Sequence, residues 1–382
     1  MDVNLFLQGI SSLGVRFFTG VPDSLLAPLC DTLYARYGVQ DQHIVAANEG
    51  AAVGLAAGHY IAAKKPALVY LQNSGIGNAA NPIISLLHDK VYGIPCVFAV
   101  GWRGEPNVHD EPQHVFQGEI TPAMLSMLGL CTCVLTSQTD EAAFGDMLKD
   151  AEKVLSQGKS VAFLIKKGTL TGGDKAVYPS AGSISREDAL RMILSSAKED
   201  GVFVSTTGKT SREVYEIREE THTGHERDFL TVGSMGHASM IALGIAKEKP
   251  DIPVWCLDGD GAALMHLGSL LVEAKLSVNN LIHVIINNGA HESVGGMPVN
   301  GGNVSFTAIA KAAGFAHCFY ADDEKALKSV LADMREFIGM QPIFIEIAVK
   351  QGSRPDLGRP ASTPKENLQQ LMGYINAQGG KA

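Results

Sequence analysis

Long apolar runs are missing from this sequence. A bilayer-spanning helix needs ~20 predominantly apolar residues. The longest apolar stretch, around Ile44 to Ala63, is interrupted by Asn48, Glu49, His59 and three glycines. The N-terminal MDVNLFLQGISSLG has neither the basic segment nor the long apolar stretch of a secretory signal, so a cytoplasmic location is expected. Basic residues are outnumbered, 31 Lys and Arg against 40 Asp and Glu, for a formal net charge of −9. That balance excludes a chain built for non-specific nucleic-acid binding, which needs a basic footprint. Charge is sparse at 19% against 46% apolar residues, enough to build large cores and too little charge for disorder. The six cysteines (30, 96, 131, 133, 256 and 318) lie mostly in apolar strand-like runs such as Pro95-Cys96-Val97-Phe98 and read as buried thiols of a reducing compartment. Cys131 and Cys133 have no second pair nearby, which argues against a zinc site, and no cysteine run exists to hold an iron–sulfur cluster. A dinucleotide fingerprint is also lacking. Gly75-Ile-Gly77 is followed by Ala80 where a third glycine belongs, and no acidic residue lies ~20 positions further on.

Glycine, by contrast, is abundant: 41 residues without a Gly-X-Y period, which points to turns and close backbone approaches. Short apolar runs alternate with helix-period segments, the signature of parallel sheets covered by helices on both faces. In the first half, strands are expected at Val15–Phe18, His43–Ala47, Ala67–Gln72, Cys96–Val100, Thr132–Leu135 and Ser160–Ile165, with helices at Ser24–Tyr37, Glu49–Ala63, Asn78–His88 and Thr139–Leu155. Lys166 to Ser183 is rich in Gly, Ser, Thr and Lys and reads as an interdomain linker. Ser185 opens a new helix, with Asp188 three residues on as a capping-box variant. Further strands are expected at Val202–Thr206, Pro253–Leu257, Leu281–Asn287 and Pro342–Val349. Helices are expected at Ser239–Lys247, Ala262–Lys275, Thr307–Ala313, Glu324–Ile338 and Lys365–Ile375. The division is a first α/β domain over 1–170, a linker over 171–184 and a second α/β domain over 185–382. No residue-level repeat relates the halves.

Two motifs carry chemistry. Leu257-Asp258-Gly259-Asp260-Gly261-Ala262 ends an apolar strand and opens a helix; Ile285-Ile286-Asn287-Asn288-Gly289 ends the next strand. Asp260 and Asn288 are 28 residues apart, the length of a strand–helix–strand unit, which puts both at carboxyl ends of adjacent parallel strands, where α/β sheets bind ligands. Gly259 and Gly261 are expected to let the backbone turn sharply, and the helix opening at Ala262 offers free amides to a phosphate. Asp260 would repel that phosphate, so a cation between them is implied. A carboxylate, a carboxamide oxygen and a main-chain carbonyl suit Mg²⁺ or Ca²⁺. An EF-hand is excluded because no bidentate Glu follows at the twelfth position.

This pairing resembles the diphosphate-and-metal motif of the thiamine-diphosphate-dependent decarboxylase family. Glu49 in Ala47-Asn48-Glu49-Gly50-Ala51-Ala52 is similar to the family's activating glutamate, Gln72-Asn73-Ser74-Gly75-Ile76-Gly77-Asn78 to the glycine-rich turn after it, and Gly233-Ser234-Met235-Gly236 to the strand end under the cofactor's centre. Four further stretches resemble compact members of the family that lack a middle domain and act on 2-keto acids with an anionic tail: Thr19–Asp23, Ser205–Thr210, Asn288–Gly296 and Gly352–Pro360.

The resemblance implies two thiamine-diphosphate-binding-fold domains, the first pyrimidine-binding and the second diphosphate-binding, with thiamine diphosphate and Mg²⁺ as cofactors. It implies Glu49 at the aminopyrimidine, Met235 holding the cofactor bent, and a Gly233 carbonyl on the pyrimidine amine. Asp260, Asn288 and the Ala290 carbonyl would hold the metal. Lys209, Thr210, Gly259, Gly261 and Ala262 would surround the diphosphate, and Gln72 is a further cofactor contact. For Lys209 a solvated surface charge is the alternative, and for Met235 a core gap-filler. Independently, a lone carboxyl in an Ala/Gly/Val run such as Glu49 needs a partner, and burial would raise its pKa.

An anionic tail calls for Arg or Lys donors. Candidates are Arg103, His109 and His114 on the loop GWRGEPNVHDEPQH, together with Arg354 and Arg359; ordinary surface charges are the alternative. Larger relatives carry adjacent paired histidines here, whereas His109 and His114 stand five apart, and Val294 replaces their glutamate six positions after the second Asn. His291 and Glu292 are the proton-transfer candidates left, with His114, although His291 equally suits a structural role. The expected reaction is decarboxylation of a 2-keto acid with a phosphonate tail; the sulfonate analogue and a carboligating transfer are the alternatives. Family members bind the cofactor between domains of different subunits, which implies a homodimer or higher homo-oligomer, with no nucleic-acid or membrane partner.

Overall fold

The computed structural model describes residues 1–178, 182–197, 200–299 and 304–378. Its contacts define two units: Met1–Tyr178 with Val294–Asn300, and Pro179–Ser293 with Gly301–Ala382. The segment Val294–Asn300, which the sequence reading placed in the second domain, belongs to the first unit because Met297 is buried in that unit's core.

The first unit is a six-stranded sheet of β1 (Phe18–Gly20), β2 (His43–Val45), β3 (Leu68–Gln72), β4 (Val97–Gly101), β5 (Cys131–Leu135) and β6 (Val161–Ile165) in the order β2-β1-β3-β4-β6-β5, parallel throughout. Side chains alternate across it. Leu68, Tyr70, Val97, Ala99, Val161 and Phe163 enter one core, and Val69, Leu71, Phe98, Val100, Ala162 and Leu164 the other. With both faces covered, the strands read as unbroken apolar runs.

The second unit contains β7 (Val202–Ser205), β8 (Asp228–Leu230), β9 (Val254–Gly259), β10 (Leu281–Asn287), the two-residue piece β11 (Ala290–His291), β13 (His317–Ala321) and β14 (Ile343–Ala348); a second short piece, β12 (Met297–Pro298), lies in the first unit's segment. Its sheet runs β13-β14-β10-β9-β7-β8, again all parallel. Counted from the start of each unit, and without the two short pieces, both sheets have the strand order 2-1-3-4-6-5. The halves are repeats in topology although no sequence repeat joins them. In each, the chain reverses direction between its first and third strands, which is where open α/β sheets bind ligands.

Several elements were absent from the sequence reading. Lys209–Thr221 is a helix whose inner face buries Glu213 and Arg218 beside Val214 and Ile217. Ion pairs to Arg186 and Asp228 satisfy those charges, so the amphipathic signal is hidden. Pro112–Met127 is a helix with proline in its first turn, so His114 sits on a helix and not on the loop expected for it. Val3–Ser12 is a helix capped by Asp2, and the edge strands β8 and β13 are too short or too polar to stand out. The expected Asn78–His88 helix is instead Ile76–Pro82 followed by a π-turn at Ile83–Leu87, where Pro82 removes an amide. The expected helix over 262–275 breaks into Asp260–Met265 and Ser269–Leu276. Three of the six cysteines are buried as expected, but Cys131 is exposed and Cys133 and Cys318 are half-buried. No helix among the described residues is long and apolar enough to cross a membrane.

A buried histidine makes the first unit acid-sensitive. His43 is fully buried, with Nδ1 2.7 Å from the Gly38 carbonyl and Nε2 2.8 Å from the Tyr70 hydroxyl. Nδ1–H donates to the carbonyl, and in the neutral ring that burial favours Nε2 accepts from the Tyr70 hydroxyl. Burial lowers its pKa from 6.5 to about 4 against a raising pull from the Gly38 carbonyl. The unfolded chain therefore takes up this proton first as pH falls, and stability declines between about pH 6.5 and 4. Linkage puts the loss at about 2 kcal/mol between pH 7 and pH 5. Urea unfolding at both pH values should show the wild type losing about 2 kcal/mol more than His43→Gln, the other titrating groups being common to both; equal losses would contradict the assignment.

Candidate functional site

In the first unit, the carboxyl ends of β1, β2, β3 and β4 carry the chemistry. Glu49 opens the helix Glu49–Ala63, which Asn48 caps by accepting the Ala51 amide. It is 6% exposed, and its Oε2 accepts from Asn78 Nδ2 at 2.8 Å. Burial raises its pKa; the Asn78 bond opposes this in part. The carboxyl lies against the backbone of Gly75, where a Cβ would come within 2.3 Å of Glu49 Oε1. Glycine at 75 therefore fixes the place of the acid. Gln72, at the end of β3, donates to Ser74 Oγ at 2.5 Å.

Asn73 braces the next strand end: Nδ2 donates to the Arg103 carbonyl and Thr121 Oγ1, both at 2.8 Å, and Oδ1 accepts the Arg103 amide at 3.1 Å. Arg103 is a held cation. Its Nε and Nη2 donate to Asp110 at 2.8 and 2.5 Å, and its Nη1 to Ser24 Oγ at 3.1 Å. His114 is half-buried with an unpartnered Nδ1, and burial keeps its pKa low, helped by the Arg103 charge. His109 is exposed.

Asp23 is a residue that sequence reasoning did not single out. It is fully buried three residues past β1, and neither side-chain oxygen has a hydrogen-bond partner among the described residues. Desolvation raises its pKa to about 6, against pulls from Arg103 and the nearby amides of residues 24–26. A Cβ at Gly101 would meet its Oδ2 at 2.2 Å, so a second glycine makes room for a carboxyl. The signal in the sequence was an acid directly after a Val-Pro turn at a strand end.

In the second unit the polar groups gather where the chain reverses, between β7 and β9, and at the adjoining end of β10. Asp260 is 4% exposed and opens the helix Asp260–Met265. Its Oδ1 accepts the Gly261 amide at 2.7 Å and its Oδ2 the Gly289 amide at 2.6 Å. The second bond ties the end of β9 to the end of β10 and brings Asp260 beside the Asn288–Ala290 turn. Desolvation raises the Asp260 pKa to about 6, opposed by the amides of Gly261, Gly289 and Ala290. Asn288 and Ala290 are buried; Asn288 Oδ1 accepts the Ala290 amide at 3.0 Å and its Nδ2 donates to Glu292 at 2.6 Å.

The glycines behave differently from expectation. Neither Gly259 nor Gly261 takes a positive φ, and a Cβ at Gly259 would have ordinary contact with Thr206 at 3.8 Å. The left-handed positions are Gly289 (φ 70°), Gly208 (φ 99°) before Lys209, and Gly236 (φ 86°). A Cβ at Gly236 would press on the Ala262 carbonyl at 3.0 Å, so the Gly233–Gly236 turn is seated on the Asp260 helix. Ser234 in that turn is held at φ 54°, strain of the kind that collects at functional sites. Gly233 and Met235 are half-buried there, while Thr210 and Ala262 are buried.

Lys209 is no free surface charge: its Nζ donates to Glu292 Oε1 at 2.8 Å. Arg186 also holds Glu292, at 2.7 Å, and burial is outweighed by these cations, so the Glu292 pKa is lowered. His291 is buried and its pKa is pushed down to about 4 by burial. Arg354 is enclosed by acids, pairing with Glu216, with Glu187 at 3.4 Å and with Asp356 at 3.3 Å, and Arg359 is exposed.

Residues 3–126 match the N-terminal TPP binding domain of thiamine pyrophosphate enzymes, and residues 206–347 match the C-terminal TPP binding domain. The chain belongs to the thiamine pyrophosphate enzyme family. Within it, the chain is 33% identical over 388 residues to phosphonopyruvate decarboxylase of Streptomyces viridochromogenes, covering 97% of this chain and 94% of that one. It is 33% identical over 378 residues to phosphonopyruvate decarboxylase of Streptomyces hygroscopicus (94% and 90%). Sulfopyruvate decarboxylase of Methanosarcina acetivorans is 26% identical over 326 residues (79% and 80%).

The Gly75 contact gives a direct test of the first unit's Glu49 site. Gly75→Ala should displace the Glu49 carboxyl and cut turnover at least about 100-fold, the cost of a misplacement near 1 Å. Steady-state rates beside a melting curve check this. Near-normal turnover would show that Glu49 needs no fixed position.

Proposed function

We propose that this chain is a Mg²⁺- and thiamine-diphosphate-dependent decarboxylase that converts phosphonopyruvate to phosphonoacetaldehyde and CO₂. The observation that carries the reading is the water-excluded Asp260 carboxylate, tied to the Gly289 amide and adjoining the Asn288 carboxamide. Among the described residues no cationic side chain pairs with this carboxylate; burial this deep is then costly, and a divalent ion would remove the cost. The donors are all hard oxygens if the Ala290 carbonyl joins them, which suits Mg²⁺. The residues fit the cofactor's diphosphate as well: buried Thr210 and Ala262 and the cation Lys209 stand at the openings of two helices.

Bound thiamine diphosphate supplies an electron sink for the pair left behind when a 2-keto acid loses its carboxylate as CO₂. Glu49, whose pKa burial raises, would share a proton with the N1′ ring nitrogen through its carboxyl. Asn78 orients that carboxyl. Met235, on the strained turn, supplies an apolar surface for the cofactor, and Gly233 a carbonyl. Arg103, locked by Asp110, offers a fixed charge toward the phosphonate tail, with neutral His114 beside it as a donor or acceptor. Asp23, whose pKa burial raises to about 6, is suited to deliver the proton that completes the aldehyde. Arg354, paired with three carboxylates, is left a structural role. The working form is a homo-oligomer, at least a dimer.

Likeness to the Methanosarcina acetivorans enzyme supports a second reading in which the tail is a sulfonate. Both acids share the cofactor, so the assay must compare them. With thiamine diphosphate and Mg²⁺ present, phosphonopyruvate should give a kcat/KM at least tenfold above sulfopyruvate and pyruvate. The reverse order would transfer the assignment to the sulfonate. Glu49→Gln should lower turnover at least about 100-fold while retaining cofactor binding; unchanged turnover would remove Glu49 from the mechanism. Protons should compete with the metal at Asp260, whose pKa lies about 6. Half-saturation by Mg²⁺ should therefore rise as pH falls from 7.5 to 5, and a flat profile would count against Asp260 as a ligand.

A further inference from the structure

Glu292 was a proton-transfer candidate on sequence grounds, yet its carboxylate is fully subscribed. Oε2 accepts from Arg186 Nη1 at 2.7 Å and from Asn288 Nδ2 at 2.6 Å. Oε1 accepts from Lys209 Nζ at 2.8 Å and more distantly from Arg186 Nη2 at 3.4 Å. Arg186 is itself immobile: it is 5% exposed, and its Nε and Nη2 form a fork on Glu213 with both bonds at 2.7 Å. Two acids and two bases thus form a neutral cluster, reached from the helix Arg186–Ser196, the helix Lys209–Thr221 and the turn after β10.

The cluster matters because a carboxamide has two unlike ends. Only Oδ1 of Asn288 can ligate a cation, and a half-turn about the last side-chain bond would present Nδ2 instead. A carboxylate accepts hydrogen bonds and cannot donate them, so Glu292 can pair with Nδ2 and never with Oδ1. Its charge therefore selects one of the two orientations. That charge would be expensive at this burial without Arg186, whose planar fork bridges Glu213 and Glu292 in a way lysine cannot reproduce.

We infer that Arg186 and Glu292 are positioning residues for the metal: Glu292 fixes the Asn288 carboxamide with Oδ1 available to the divalent ion, and Arg186 fixes Glu292. The inference rests on the metal reading of Asp260 and Asn288. It gives Glu292 a permanent charge in place of a proton-transfer role, and it makes Lys209 a partner of Glu292 before it is a partner of any phosphate.

The test is a Mg²⁺ titration of thiamine diphosphate binding to cofactor-stripped enzyme, followed by tryptophan fluorescence, with a parallel titration of activity. Partners that orient a metal ligand typically change metal affinity about 10–100-fold. Glu292→Gln, whose amide can pair with either end of Asn288, should raise the half-saturating Mg²⁺ by about tenfold or more, and its activity should recover as Mg²⁺ is increased. Arg186→Lys should do the same to a smaller degree and keeps the cluster's charge should Arg186→Gln not fold. In an Asn288→Asp background both ends of the side chain are oxygens, so orientation no longer matters. There, Glu292→Gln should leave the half-saturation unchanged or lower it, since it removes a like charge. A general structural role for Glu292 would instead raise it equally in both backgrounds and would overturn the inference. So would a loss of turnover that no Mg²⁺ concentration restores, which would return Glu292 to proton transfer. If wild-type cofactor binding proves independent of any divalent ion, the metal reading itself fails, and that result is distinct from Mg²⁺-dependent binding that the variants leave untouched.

Discussion

A carboxylate that water cannot reach, held between the ends of two adjacent strands, is the constraint on which the second unit turns. Asp260 takes one amide from its own helix and one from Gly289 across the sheet. The bond to Gly289 fixes the turn after β10, and with it Asn288 and Ala290. Parallel neighbours in register from Leu281↔Val254 to Ile286↔Gly259 bring these ends level. Among the described residues no side chain offsets the cost of burying Asp260, and the proposed divalent ion would do so. Around it the protein spends ordinary means: a left-handed glycine at 289, a strained Ser234 turn seated on the Asp260 helix, and a neutral cluster of Arg186, Glu213, Lys209 and Glu292.

The first unit uses the same strand order for a different end. At the places where the second unit presents Asp260 and Asn288, the first presents Gln72 and Asn73 at the end of β3 and Trp102 and Arg103 just past β4. The acids of this unit, Asp23 and Glu49, are both desolvated and both raised in pKa, and each lies against a glycine whose side chain would collide with it. Desolvation thus acts in both units, raising the pKa of Asp23 and Glu49 in the first and of Asp260 in the second. One topology carries both because strand order places the loops, and residue type on the loops decides the chemistry.

How much of this was legible depended on what each residue had to satisfy. The central strands β3, β4, β6, β10 and β14 are covered on both faces, so their apolar runs announced them. Glu49, Asp260 and Asn288 stood out as polar residues at strand ends or in apolar surroundings. Helix Lys209–Thr221 was hidden because its buried face includes Glu213 and Arg218, charges that pairing across space makes tolerable and a linear pattern cannot reveal. The same limit concealed Arg186, which looks like a surface residue of a capped helix, and the hydrogen bonds that Arg186, Lys209 and Asn288 make to Glu292. The conformational need for glycine fell on 289, 208 and 236 rather than on 259 and 261, since a strand can run into a helix without a left-handed step and the reversal comes later. Asp23 could be recognised only once Gly101 was seen against it.

The central claim is that one ion bridges Asp260 and Asn288. Crystals of the enzyme grown with thiamine diphosphate and Mn²⁺ in place of Mg²⁺ would locate that ion by its anomalous scattering. The account predicts a single strong peak at about 2.1 to 2.2 Å from both Asp260 Oδ and Asn288 Oδ1, the spacing expected of a small hard cation on oxygen ligands. A peak elsewhere, or cofactor bound with no peak between these two side chains, would contradict it.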